Sequence, residues 1–260
     1  PLIPCGKCAP CQNRQYELCR SYDYLGSRSH GGFAEYVTVP QKNLIRIPEQ
    51  VSFEEVAMLE PMSVAVHAMR RSRIKSGLTA DWQVSEYSGR SGQDPSIAVC
   101  GLGTIGLLLV MFLLDTGYHK LYVIGNKNVQ RQRAMALGIS AEHYCDAREE
   151  NVLQWLMERT EGMGVNTFYE CVGRSDTAAL GVNAVAPMGT VVLVGNPHSD
   201  MGLDRNSYWK ILRNQLMVTG TWNSSFTYDD SDDWHYVLKR VVQRGIVAPS
   251  KLITHRLPFD

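Results

Sequence analysis

The chain has 260 residues, 44% of them hydrophobic and 20% charged, and 26 basic residues balance 26 acidic ones. That is enough apolar material for one large or two smaller packed domains, which excludes a disordered chain and a collagen-like fibre, while the balanced charge argues against electrostatic attachment to nucleic acid. The longest apolar run, Leu107 to Leu114, falls far short of the roughly 20 residues that cross a bilayer, and no basic, apolar, small-residue signal opens the chain. A soluble cytoplasmic protein is expected, with neither membrane nor nucleic acid as a partner. Residue 1 is Pro rather than Met and the chain stops at Leu257-Pro258-Phe259-Asp260, so truncation at both ends is expected.

Four of the seven cysteines, Cys5, Cys8, Cys11 and Cys19, fall within fifteen residues as C-x2-C-x2-C-x7-C. Two residues between thiols let a tight turn aim both sulfurs at one ion, Gly6 and Pro10 suit such turns, and four thiolates close a tetrahedral zinc site. With no open position for water or substrate, zinc there fastens a loop and does no chemistry. An iron–sulfur cluster and a disulfide knot are the competing readings; the usual cluster runs have other spacings, and a disulfide framework suits a secreted chain. Cys100, Cys145 and Cys171 are isolated in apolar surroundings and read as packing.

From Ser96 the chain reads Ile-Ala-Val-Cys, then Gly101-Leu-Gly103-Thr104-Ile105-Gly106, then an apolar run to Leu114. This is strand, glycine turn and helix. In a dinucleotide-binding unit the first glycine makes the turn, the second admits the pyrophosphate to the backbone, and the third lets helix pack on strand, with helix-end N–H groups facing the phosphates. Further apolar or β-branched runs at Leu121 to Ile124, Asn166 to Glu170, Gly189 to Val194 and Leu216 to Gly220 alternate with helical stretches, the pattern of a doubly wound parallel α/β sheet.

An NAD-binding unit usually ends its second strand on Asp or Glu, which accepts hydrogen bonds from the adenosine ribose. This chain has Gly125-Asn126-Lys127 there, with Arg131 and Arg133 on the next helix. A small residue, an amide and cations suit the extra 2′-phosphate, so NADP(H) is expected over NAD(H). A solvated basic helix start is the competing reading.

A cysteine lobe followed by a nucleotide-binding unit resembles the zinc-dependent medium-chain alcohol and polyol dehydrogenases, over essentially the whole chain. Gly31-Gly-Phe-Ala-Glu-Tyr-Val37 resembles the strand entering that family's catalytic domain, Glu60-Pro-Met-Ser-Val-Ala-Val-His67 its crossing helix, Tyr169-Glu-Cys-Val-Gly173 and Val192-Leu-Val-Gly-Asn196 its nicotinamide-side strands, and Leu252 to Pro258 its return segment. Tyr22 to Arg28, Lys210 to Arg213 and Gly220 to Asn223 are similar to the polyol branch. The resemblance implies a Rossmann sheet plus a partial GroES-like, β-rich catalytic domain carrying the zinc lobe. Its boundaries would be 1–61 for the partial catalytic domain, 62–246 for the nucleotide domain and 247–260 for the return.

The same resemblance implies metal-assisted hydride transfer from a secondary alcohol of a polyol or polyol phosphate. Galactitol 1-phosphate going to tagatose 6-phosphate is the leading case, and sorbitol or a ribitol phosphate the alternative. It places the pyrophosphate at Gly101, Gly103, Thr104, Ile105 and Gly106 and the nicotinamide at Cys171, Val172, Val194, Gly195 and Asn196. It makes Glu60 a ligand of the catalytic zinc, directly or through water, the family's other ligands lying upstream of Pro1; read alone, Glu60 is an acidic residue at a helix start. A homo-oligomer, dimer or tetramer, is implied as well. For the fragment alone the alternative is a zinc-stapled nucleotide-binding module without catalysis.

Arg28 and His30 are weaker candidates for a sugar phosphate. His67 reads as a packed or capping residue, Arg70-Arg71-Ser-Arg73-Ile-Lys75 as a solvated helix end, and Asp229 to Asp233 as a surface loop leading into a helix. Leu78 to Pro95 reads as a polar insertion without an assigned function.

Overall fold

The computed structural model describes residues 1–72, 94–242 and 249–259. The N-terminal lobe is held by a short antiparallel ladder, β1 (Leu2–Ile3) on β2 (Asp23–Tyr24), which brackets the one-turn helix α1 (Ala9–Gln12). Two helices lead out of it. α2 (Phe53–Ala57) starts on a capping box in which Ser52 Oγ accepts the Glu55 amide and Glu55 returns a bond to the Ser52 amide. α3 (Leu59–Arg71) then buries Met62, Ala65, Val66 and Met69 against the helices Thr104–Asp115 and Asp233–Val242.

The larger unit alternates strand and helix: β3 (Ile97–Cys100), α4 (Thr104–Asp115), β4 (Leu121–Gly125), α5 (Asn128–Ala136), β5 (Tyr144–Asp146), α6 (Val152–Arg159), β6 (Val165–Glu170), α7 (Ser175–Ala184), β7 (Val185–Leu193), α8 (Arg205–Arg213), β8 (Met217–Gly220) and α9 (Asp233–Val242). The six strands are parallel in the order β5-β4-β3-β6-β7-β8. The order reverses between β3 and β6, so the ends of those strands form the crevice in which such sheets bind ligands.

The strands are continuous apolar runs because both faces are covered. Ile97, Val99, Leu121 and Val123 face one core with α3, α4 and α9, while Ala98, Cys100, Tyr122 and Ile124 face the other with α6 and α7. α4 is buried from Gly106 to Leu113, as its unbroken apolar sequence requires. Among the described residues no helix is long and apolar enough to cross a membrane.

The structure departs from the sequence expectations at three places. Residues 31–37 form no strand, 32–35 being bends, with Phe33 99% and Tyr36 90% exposed; a strand needs a ladder partner for its amides, and none lies beside it among the described residues. β5 was not expected at all. β7 begins at Val185, four residues before the expected Gly189, and its pairing with β6 shifts register between Val165 and Thr167. The expected polar insertion from Leu78 lies outside the described residues up to Gln93.

Candidate metal lobe and nucleotide site

Cys5, Cys8, Cys11 and Cys19 put one sulfur each within 4.8 Å of all the others. Cys8 Sγ lies 3.5 Å from Cys11 and 3.9 Å from Cys19, and Cys5 lies 4.0 Å from Cys11. A tetrahedron with zinc–sulfur bonds of about 2.3 Å has edges of about 3.8 Å, so the four thiols fit one zinc ion. Backbone amides favour thiolates at two of the four: those of Arg20 and Cys11 pull Cys8 down to about 6, and those of Lys7 and Cys8 lower Cys5, while burial and the neighbouring thiols push Cys11 up to about 12. Cys100 and Cys145 lie in one apolar core and Cys171 packs against the other, burial raises all three, and none joins a metal-ligating group among the described residues, so they are packing thiols.

Each glycine of the turn after β3 answers a different demand. Gly101 has φ +97°, and a side chain there would meet Val172 Cγ2 at 2.6 Å. A Cβ on Gly106 would sit 1.9 Å from the Gly101 carbonyl oxygen. At Gly103 a Cβ would meet nothing within 4 Å. Gly103 is the N-cap of α4, no side chain caps that end, and no acid lies in its first turn. The result is open ground in front of Thr104 and Ile105, where amides and the helix dipole favour an anion, and it fits a pyrophosphate.

Opposite lie the ends of β6 and β7. A Cβ on Gly173 would fall 1.8 Å from the Asn196 carbonyl oxygen, and one on Gly195 2.2 Å from the Gly173 nitrogen. The turn carrying Cys171 and Val172 therefore lies in backbone contact with the turn carrying Val194, Gly195 and Asn196.

At the end of β4, Gly125 leaves room for two polar atoms: a Cβ there would meet the Tyr144 hydroxyl at 2.6 Å and Gln130 Oε1 at 3.0 Å. Gln130 Oε1 accepts the Asn126 amide at 2.9 Å. Tyr144 is only 5% exposed and its hydroxyl has no partner among the described residues. Lys127 and Asn126 are exposed at the uncapped start of α5, and Arg131 lies 5.8 Å from the Tyr144 ring centre. Arg133 is turned away, donating to the Leu252 carbonyl at 2.7 Å. Sequence reading missed Tyr144 and also Arg148, whose guanidinium bonds both carboxylate oxygens of Asp146 and reaches Asn128 at 2.7 Å.

Glu60 stands in the first turn of α3, 3.3 Å from the Tyr24 hydroxyl, in a pocket shared with Tyr16, Glu17, Asn223 and Trp234. Among the described residues no cluster of three metal-ligating side chains includes it. Arg28 stacks over Tyr22, 3.9 Å from the ring centre, and donates to the Tyr22 carbonyl. The acidic stretch is not a surface loop throughout. Asp233 is 0% exposed, with Oδ2 at 2.8 Å from His67 Nδ1 and Oδ1 at 2.9 Å from Arg70, and Asp232 is buried beside His235. Arg70 is correspondingly no solvated residue, and Arg71 bonds the Gly220 carbonyl of β8; Arg73 and Lys75 lie outside the described residues. Asp229 does face solvent, and Arg14 of the cysteine lobe bonds it at 2.7 Å.

A sheet of this order, a glycine turn opening onto a bare helix end and a four-thiol lobe define an α/β fold of the dinucleotide-binding type with a loop whose cysteines fit a metal ion. The chain belongs to the zinc-binding dehydrogenases: that family's pattern matches residues 104–243, and the alcohol dehydrogenase GroES-like domain matches residues 1–49. The chain is 28% identical to galactitol 1-phosphate 5-dehydrogenase of Escherichia coli K12 over 260 residues, all of this chain and 69% of that protein. Against the crystal structure of that E. coli enzyme the TM-score is 0.80, covering 95% of this chain and 66% of the other. Sorbitol dehydrogenase of Bacillus subtilis is 26% identical over 261 residues, covering all of this chain and 66% of that protein. A zinc-binding dehydrogenase of Sinorhizobium meliloti solved with NADP is 25% identical with TM-score 0.79, covering 95% of this chain and 65% of the other. The chain thus spans about two thirds of the length of these relatives.

Proposed function

We propose that the chain is the zinc-lobe and nucleotide-binding part of an NADP-linked dehydrogenase that oxidises a secondary alcohol of a polyol or polyol phosphate. The observation that carries the reading is the glycine turn, in which Gly101 and Gly106 are forced by packing while Gly103 is small over open ground. Thr104, Ile105 and the three glycines receive the pyrophosphate; Cys171, Val172, Val194, Gly195 and Asn196 wall the nicotinamide end. Gly125, Asn126, Lys127 and Arg131 take the adenosine ribose and its 2′-phosphate, and the buried Tyr144 hydroxyl gains there the acceptor it otherwise lacks. Bound dinucleotide supplies the hydride acceptor. The four cysteines hold a structural zinc. Glu60 is the carboxylate facing the alcohol, and among the described residues no group of three metal-ligating side chains includes it.

Galactitol 1-phosphate is the leading substrate by similarity. One observation favours an unphosphorylated polyol of the sorbitol type. Among the described residues, the pocket at Glu60 carries Glu17 but no Lys, Arg or His, and the buried Glu17 Oε2 and Asn43 Oδ1 have no partner. Acceptors in that number suit hydroxyl donors and repel a phosphate. The exposed edge strand β8, with Val218, Trp209, Leu212 and Trp222 exposed around it, supports pairing with a second copy as a homo-oligomer. NADP reduction by the whole protein, measured with galactitol 1-phosphate, a ribitol phosphate and sorbitol, tests the reading. The higher kcat/KM selects the substrate class, and no reduction with any of them overturns the proposed reaction.

A further inference from the structure

Glu170, the last residue of β6, is 1% exposed, and among the described residues no Lys, Arg or His forms an ion pair with it. A buried carboxylate is costly unless its lone pairs are met. Here they are met by the turn that follows: Oε1 accepts the amides of Val172 at 2.8 Å and Gly173 at 2.9 Å and the Thr177 hydroxyl at 2.7 Å, while Oε2 accepts the Gly173 amide at 3.1 Å. The backbone carbonyl of the same residue accepts the amides of Val194 at 2.8 Å and Gly195 at 2.9 Å. One residue therefore ties the end of β6, the turn beyond it and the end of β7. The Cys171 amide, donating to the Cys100 carbonyl at 2.8 Å, links the same turn to β3 and the glycine turn.

We propose that Glu170 is a positioning residue for the nicotinamide end of the dinucleotide site, acting through these two turns and not on the cofactor itself. The proposal rests on the dinucleotide reading above. If the 171–173 turn shifts, a buried anion loses its donors, so the carboxylate holds the turn in one conformation. The adenosine half, at the ends of β4 and β5, is built without Glu170. A Glu170→Gln change keeps the shape but removes the charge to which Val172, Gly173 and Thr177 donate, and puts an NH2 group where Oε2 accepted the longer of the two Gly173 contacts.

The test compares NADPH with 2′-phospho-ADP-ribose, which lacks the nicotinamide, and follows the emission of bound NADPH. For Glu170→Gln the affinity for 2′-phospho-ADP-ribose stays within about twofold of the unaltered protein, NADPH affinity falls about tenfold or more, and the emission moves toward that of free NADPH. Thr177→Val, which removes one donor from a partly exposed helix position, moves the same readouts in the same direction by less. It serves alone if Glu170→Gln does not fold. Unchanged NADPH affinity and emission in the variants overturns the proposal, and so does an equal loss for both ligands, which would mark a general structural role. Failure of the unaltered protein to bind either ligand overturns the dinucleotide reading itself.

Discussion

Gly103 and Gly106 lie three residues apart in one turn, and alanine at each has opposite consequences. At Gly106 the new methyl would sit 1.9 Å from the Gly101 carbonyl oxygen, so strand and helix must separate; overpacking of this degree costs about 3 kcal/mol, which in a chain of this size lowers Tm by about 6–12 °C. At Gly103 the methyl meets nothing within 4 Å, and φ is −73°, a conformation open to any residue. The N-cap preference for Gly over Ala and the smaller entropy of the unfolded chain oppose each other, leaving stability within about 1 kcal/mol of the parent. The methyl does occupy the ground assigned to the pyrophosphate, where a misfit of about 1–3 kcal/mol weakens dinucleotide binding about 5- to 150-fold. Thermal unfolding and NADPH titration on both variants separate the effects. A Gly103→Ala variant that binds NADPH as the parent does would refute the assignment of this turn.

Tyr144→Phe removes a buried hydroxyl that has no partner among the described residues, so Tm is maintained or raised, while NADP affinity falls about 5- to 10-fold and NAD affinity stays level; equal effects on the two cofactors would argue against a 2′-phosphate contact. The Arg148 guanidinium bonded to Asp146 holds that carboxyl down at about 2. Because this lies below the ordinary 3.8, the stabilisation is present above about pH 4 and vanishes as pH falls toward 2. Asp146→Asn is therefore less stable than the parent at neutral pH and matches it near pH 2, with a gap that narrows in high salt. Asp233→Asn takes a buried counter-charge from Arg70 and His67 and costs about 3 kcal/mol, read as an earlier midpoint in urea unfolding. Cys11→Ser abolishes zinc retention by the purified chain and lowers the Tm, as read by elemental analysis and calorimetry.

What was legible in the sequence was what local chemistry alone decides. The cysteine spacing, the positive φ of Gly101 and the Gly106 contact with the Gly101 carbonyl carry their reasons within a few residues, and strand runs such as Ile97 to Cys100 declare burial on both faces. Tyr144 was hidden because β5 is three residues long in polar surroundings and becomes buried only by pairing with β4. Arg131 and Arg133 are two apart on a helix and cannot share a face, which the sequence alone could have shown; only the contact with Leu252 shows which one turns away. Asp233 lies in an acidic run typical of surfaces, and its partners His67 and Arg70 stand more than 160 residues upstream. Gly31 to Val37 has the composition of a strand, but a strand exists only beside another.

The central claim is that this chain is a zinc-stapled dinucleotide-binding unit preferring NADP. Zinc content and equilibrium titration with NADP and NAD on the same preparation test it most directly. The account predicts about one zinc per chain and NADP binding about tenfold or more tighter than NAD, the worth of one or two charged contacts to the 2′-phosphate. No binding of either nucleotide to the zinc-loaded chain would contradict it.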